Sequence, residues 1–362
     1  VMRLRSLRKV RMKKGNIAML RWFEQNGKDS DVVISSRVRL ARNLSKYNFS
    51  LKLDNKSART MTDKAVNAIK ATIDMNEYTD YDFKNLDKYQ KIAMKERHLI
   101  SDFLLGQQVA AGFASLNENM SIMINEEDHI RIQSYSAGKD MQTAYKQADD
   151  MDNKIGEVLD YAYDEKYGYL TTCPSNVGTG MRASYMLHLP ALSGSERISG
   201  ISAEVGRFGL QLKGVYSDGN GKFAGDIYQL SNIITLGKSE AEIIENLNKI
   251  AEQVIAQERA VRKEYIKKKY MTALDSVSRS YGVLKYAKKI SLSDGMFLLS
   301  QLRFGLSEGL LTDSSGMNTS IYQLMIGIQP ANLKIMNEKD LSEEELDISR
   351  SQFIRDNLPM VQ

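Results

Sequence analysis

From Met120 the hydrophobic period drops to two: MSIMIN, then EED, then HIRIQS. Side chains repeating at that period need an extended backbone, and two such runs joined by a short polar turn need an antiparallel hairpin. Further β-rich runs follow at 167–172, 183–189, 208–215 and 226–231, and Val32 to Ile34 marks an earlier strand end. Between them the period lengthens. Residues 57–74 place Met61, Ala65, Ala68, Ile69 and Ile73 at helical spacing, and 88–100, 141–160 and 193–207 read as helices. A long helix opens at Ser239, where Ser239 and Glu242 form a capping box, and runs to about 269 with a buried stripe from Ile243 to Ile255. Beyond about 262 strand patterns vanish, and 272–288, 293–309, 318–328 and 341–358 all read as helices. The expected division is residues 15–261 as a mixed unit and 262–362 as a helical C-terminal domain suited to dimerisation or partner binding.

The net charge of +5 suggests nucleic-acid binding until its distribution is examined. Residues 1–14 carry seven Lys or Arg and no acid, which leaves −2 for the remainder. These fourteen residues are expected to be a disordered basic extension outside the fold, and nucleic acid is not expected as a partner. No apolar run reaches the roughly 20 residues of a membrane span, and the N-terminus lacks the apolar stretch of a signal peptide. The single cysteine cannot form an internal disulfide, so a reducing, cytoplasmic setting is expected. Three histidines and one cysteine assemble no zinc spacing, and no protein-built metal site is expected.

Four stretches carry chemistry. In SSRVRLARN (35–43), Arg37 and Arg39 point to one side of an extended segment, where two guanidinium forks suit phosphate oxygens; taken alone the block equally suits a solvated edge strand. In NEEDHIRI (125–132), Glu126, Glu127 and Asp128 crowd beside His129 and Arg131, either as a solvated turn or as acids able to hold a guanidinium or take a proton. TTCPSNVGTGMR (171–182) sets Cys173 in a run of small residues and ends on Arg182, within reach of an anion. YSDGNGKFAG (216–225) contains GNGK, yet Tyr216 stands where a phosphate loop needs glycine and Phe223 where it needs Ser or Thr, so it is not a Walker A motif.

SSRVRLARN (35–43), NEEDHIRI (125–132), CPSNVGTGMR (173–182) and SNIITLGKSE (231–240), in this order, resemble the blocks of the phosphagen (guanidino) kinases, and most closely of their bacterial branch, the protein-arginine kinases of the McsB type. The resemblance runs from about residue 16 to the C-terminus. It implies an α+β catalytic domain, an antiparallel sheet flanked by helices of the glutamine synthetase-like kind, followed by an all-α C-terminal domain. It implies ATP and Mg2+, with Arg37, Arg39, Arg131, Arg182 and Lys213 on the nucleotide. Glu127, Cys173 and Asp218 then become the catalytic set that positions and polarises a substrate guanidinium. It implies transfer of the γ-phosphoryl group to arginines of proteins in bacterial stress response and quality control. Protein substrates with exposed arginines, a stress-protease unfoldase, an activator protein, a transcriptional repressor and a second copy of the chain are the implied partners.

The chain departs from that pattern in two places. KGVYSDG stands where RGxYGEG is usual, so Lys213 replaces an arginine and Asp218 a glutamate; each keeps its charge and loses reach. LDISRS stands where RDxxRA binds phosphoarginine, leaving Asp347 and Arg350 but losing the first arginine to Leu346. Weak phosphoarginine binding is therefore expected. A weakened homologue acting as a binding adaptor, and a small-molecule guanidino kinase, stand as alternatives.

Overall fold

The computed structural model describes residues 20–216, 224–314 and 320–362. The basic run 1–14 and Asp218 lie outside the described residues. Along the chain come β1 (Val33–Arg42), α1 (Asn55–Thr72), β2 (Tyr78–Asp82), α2 (Lys88–Glu96), α3 (Asp102–Leu105), β3 (Ala111–Ser115), β4 (Met120–Ile124), β5 (Ile130–Ala137) and α4 (Met141–Gly156). A small hairpin, β6 (Tyr163–Asp164) and β7 (Gly168–Tyr169), precedes β8 (Met181–His188), α5 (Pro190–Gly194), α6 (Ile198–Gly206), β9 (Leu210–Gly214) and β10 (Ile227–Asn232). The helices α7 (Glu240–Tyr286), α8 (Leu292–Ser307), α9 (Ile321–Gly327), α10 (Pro330–Asn337) and α11 (Glu343–Asn357) complete it.

Eight strands form one sheet in the order β2-β3-β4-β5-β1-β8-β10-β9, and every neighbouring pair is antiparallel. Alternation gives the sheet two unlike faces. Val38, Leu40, Ile122, Ile132, Ala183, Leu212 and Leu230 project to one side, where α1, α4, α6 and the first half of α7 cover them in a single core. The opposite face carries Arg37 and Arg39 of β1, Gln133 and Arg131 of β5, Arg182 and Ser184 of β8, and Gln211 and Lys213 of β9. One end of that polar face is closed by a second core, in which Tyr135, Met186 and Ile227 pack with Trp22, Phe23 and the C-terminal helices.

Several expected elements took a different form. The segment 193–207 is broken into α5 and α6, because Glu196 adopts a left-handed φ of 59° after Gly194-Ser195. The run entering the cysteine loop pairs only at Gly168–Tyr169, in its own two-stranded hairpin rather than the main sheet. Helix α7, capped as expected by Ser239 and Glu242, kinks at Lys269, the end expected for it, where φ is −139° and ψ 43°, and the next helical segment follows without a loop to Tyr286. No glycine or proline stands there to end it. Helix α10, with Pro330 at its first turn, was not expected.

Candidate active site

The register of β5, β1 and β8 brings four arginines together on the polar face. Arg39 lies directly opposite Arg182 across β1 and β8, with Arg37 two residues along and Arg131 on β5 opposite Ala41. Like charges in direct cross-strand opposition destabilise a sheet. They are held here largely by neutral groups. Arg37 donates through Nε to Ser184 Oγ (3.2 Å), through Nη1 to the Tyr135 hydroxyl (3.2 Å) and through Nη2 to Gln229 Oε1 (2.6 Å). Arg182 donates to Asn176 Oδ1 (3.2 Å), the Asn232 carbonyl (2.9 Å) and Ser175 Oγ (3.2 Å). Arg39 has a buried Nε with no hydrogen-bond partner among the described residues, and burial first, then Arg37, Arg131 and Arg182, hold its pKa well below the ordinary guanidinium value. Burial likewise lowers Arg182, against the opposing pull of Cys173. Among the described residues no carboxylate forms an ion pair with Arg37, Arg39 or Arg182, and the three cations make a ready anion site.

The acidic block divides into three roles. Glu126 is 1% exposed and accepts from Arg131 Nη1, Ser101 Oγ and the Glu127 N–H, each at 2.6 Å. Burial raises its pKa in spite of Arg131. Glu127 is 45% exposed and accepts from Arg131 Nη2 at 2.9 Å, so one arginine fixes both neighbours while only Glu127 reaches the cleft. Asp128 is buried and takes Asn43 Nδ2 and the Thr172 N–H, both at 2.7 Å, on one oxygen. His129 accepts the Leu44 N–H on Nδ1 and donates from Nε2 to the Asn48 carbonyl, both at 2.9 Å. Asp128 and His129 therefore fasten the β4–β5 turn to neighbouring loops.

The cysteine loop is equally tied down. Thr235 donates to the carbonyls of Ser175 (3.0 Å) and Val177 (2.7 Å). Gly178, at φ 110°, passes so close that a Cβ would lie 2.5 Å from the Thr235 carbonyl. Gly180 packs in the same way against the Ala41 carbonyl and Arg42. Arg42, buried in a 2.6 Å pair with Asp152, donates to the Thr179 carbonyl and lies 3.4 Å over the Tyr169 ring. Cys173 Sγ is 3.1 Å from Ser175 Oγ. A cleft of about 260 Å³ results, lined among others by Arg39, Glu127, Arg131, Cys173, Asn176 and Arg182.

Of the residues named from sequence, Arg39, Glu127, Arg131, Cys173 and Arg182 meet at this cleft, and Arg37 adjoins it on β1. Lys213 is exposed on β9, on the same face as Gln211 and opposite Gln229, the residue that holds Arg37. Asp347 and Arg350 pair with each other at 2.6 Å; Arg350 is 2% exposed and donates to the Ile328 and Ile290 carbonyls. That pair knots the C-terminal helices together. Sequence reasoning missed Gln229, Ser184, Asn176 and Asn232 as arginine supports, and the Arg42–Asp152 pair. Only the RLARN context hinted at Arg42. Among the described residues no group of three or more His, Cys, Asp or Glu could hold a metal, and no helix is long and apolar enough to cross a membrane.

An eight-stranded antiparallel sheet with an arginine-walled cleft, one exposed acid and one thiol defines a phosphotransferase of the guanidino-kinase class. Known proteins agree. The ATP:guanido phosphotransferase C-terminal catalytic domain matches residues 60–261, and the C-terminal domain of the protein-arginine kinase McsB matches 271–362. The protein-arginine kinase of Caldanaerobacter subterraneus subsp. tengcongensis is 41% identical over 334 residues, covering 91% of this chain and 98% of its own. That of Clostridium acetobutylicum is 39% identical over 342 residues, covering 94% and 100%. Crystallised lombricine kinase shares the fold at 22% identity and a TM-score of 0.58, over 68% of this chain and 70% of its own. The duplicated taurocyamine kinase of Schistosoma mansoni, solved with transition-state analogue components, is 25% identical with a TM-score of 0.58, over 68% and 35%. The chain belongs to the protein-arginine kinase family.

Proposed function

We propose that this chain takes MgATP and transfers the γ-phosphoryl group to arginine side chains of proteins. The observation that supports it most directly is the trio Arg37, Arg39 and Arg182, in ion pair with no carboxylate among the described residues and set in or beside the cleft that also holds Glu127 and Cys173. The arginines receive the phosphate oxygens and the charge that develops on the moving group. Arginine is a poor nucleophile because its charge is delocalised. Glu127 accepts from the substrate guanidinium, orients it, and takes the proton released as the N–P bond forms and the bond from Pγ to the bridging oxygen of ADP breaks. Cys173 polarises the same guanidinium and forms no covalent intermediate. Arg131 keeps Glu127 aimed. Lys213 and Asp218 complete the nucleotide and substrate contacts, and magnesium enters on the phosphates as part of the MgATP substrate.

On this reading residues 15–261 are the catalytic unit and 262–362 the C-terminal unit. The protein works as a cytoplasmic homodimer in stress response and protein quality control, with an unfoldase, an activator and a repressor as partners. Incubation with ATP and an arginine-rich protein is expected to give acid-labile phosphate on arginine. Normal transfer by a Cys173→Ala, Glu127→Gln double variant would overturn the residue assignment. Transfer that appears only after Lys213→Arg and Asp218→Glu would mark an adaptor, and faster turnover of free arginine a small-molecule kinase.

A further inference from the structure

Arg37 is connected to the C-terminal helices by an unbroken polar path. Its Nη1 donates to the Tyr135 hydroxyl (3.2 Å), which donates in turn to the His98 carbonyl (3.4 Å). The same carbonyl accepts from Nε2 of Gln133 (2.7 Å), the residue opposite Arg39 in β5. His98 sits at a left-handed φ of 63°, and its ring Nε2 meets the Tyr322 hydroxyl of α9 at 2.8 Å and the Tyr216 hydroxyl at 3.2 Å; the two hydroxyls are 2.9 Å apart. Trp22 stacks on Tyr135 at 4.4 Å and within 5° of parallel, sealing the path from one side. Tyr135 and Tyr322 are both buried, so these bonds are made away from water, where an unmade one is costly.

A guanidinium has five N–H donors. Arg37 commits three of them to Ser184, Tyr135 and Gln229, and two remain to be aimed. All three partners are neutral, so they fix the fork without cancelling its charge. Of the three, Tyr135 is held in turn by the His98 carbonyl, which lies outside the sheet.

We propose that Tyr322 is a positioning residue for nucleotide binding, acting through His98 and Tyr135 on Arg37, so that docking of the C-terminal helices is part of assembling the triphosphate site. This rests on the nucleotide role given to Arg37 above. Loss of the Tyr322 hydroxyl leaves the His98 ring only its longer 3.2 Å contact with Tyr216, loosens the carbonyl that holds Tyr135 and Gln133, and widens the spread of Arg37 orientations.

The test is equilibrium binding of ATP to the full chain, with thermal unfolding measured in parallel. Tyr322→Phe is expected to raise the ATP Kd about fivefold, the equivalent of one ordinary hydrogen bond. Tyr135→Phe should do at least as much, and the double variant should bind no more weakly than Tyr135→Phe alone, because both act on one path. Tyr281→Phe supplies the structural control: its hydroxyl donates to the Pro359 carbonyl (3.1 Å) and accepts from the Val361 N–H (3.2 Å) within the C-terminal region. It should lower the melting temperature and leave the ATP Kd within twofold. An unchanged Kd in Tyr322→Phe, or multiplying effects in the double variant, would overturn the proposal while leaving the kinase reading intact. A wild-type chain that does not bind ATP would overturn both.

Discussion

Adjacent acids should give opposite phenotypes. Glu126→Ala removes the shared acceptor of three donors, Arg131 Nη1, Ser101 Oγ and the Glu127 N–H, all inside a site where the carboxylate is 1% exposed. Each orphaned buried donor costs about 1–3 kcal/mol; because the bonds share one carboxylate and neighbours relax, we expect about 3 kcal/mol of lost stability in total. Glu127→Gln removes one ion pair from a side chain 45% exposed, worth at most about 1 kcal/mol to folding. In exchange it removes the group that orients and deprotonates the substrate, a loss of about 10²- to 10⁴-fold in rate. Urea unfolding of both variants, fitted for midpoint and slope, separates the stability effects. Initial rates of arginine phosphorylation at saturating ATP separate the catalytic ones. The reasoning fails if Glu127→Gln unfolds as early as Glu126→Ala, or if Glu127→Gln keeps more than a tenth of the wild-type rate.

Gly178→Ala should abolish transfer while leaving most of the stability, since its Cβ would meet the Thr235 carbonyl at 2.5 Å and push the cysteine loop off its support; soluble, folded and active protein would count against this. Arg39→Ala should weaken ATP at least tenfold and flatten the salt dependence of its binding, because one cation of the anion site is gone; titration with ATP at two ionic strengths reads both. His98 is held down to a pKa of about 3, chiefly by burial, against 6.5 when unfolded. As pH falls from 6.5 towards 3 the unfolded chain binds a proton that the folded chain refuses, so stability falls with pH across that window. Stability curves of His98→Gln should be flatter there by up to about 1.4 kcal/mol per pH unit; an unaltered slope would refute the assignment.

The polar face was legible in part because its residues are charged and its strands alternate. Arg37 and Arg39 at i and i+2 had to share a face whatever the fold. Which arginine stands opposite which depends on register between strands about 145 residues apart in sequence, as with Arg39 and Arg182, and no local pattern encodes that. Glu126 and Glu127 look alike in sequence because both pair with Arg131, and what sets Glu126 apart is its place under Ser101, 25 residues away in the chain. The sequence ends the long helix at about 269, and the backbone leaves helical geometry at Lys269; with no glycine or proline beside it, a second helical segment resumes at once and runs to Tyr286. Arg350 kept its motif spacing with Asp347, and spacing alone could not show that its guanidinium faces inward to backbone carbonyls.

The central position of β1 has a consequence for synthesis. Among the described residues it is the first strand of the sheet to be made, and its two neighbours, β5 and β8, are translated about 100 and 150 residues later. Arg37 and Arg39 thus leave the ribosome long before Arg131 and Arg182 exist beside them. At roughly 5–20 residues per second, β1 waits on the order of ten seconds for its second partner. During that interval the nascent chain has β1 open on at least one edge and lacks Arg182, so nucleotide meets its full set of arginines only on a chain whose β8 has already been inserted.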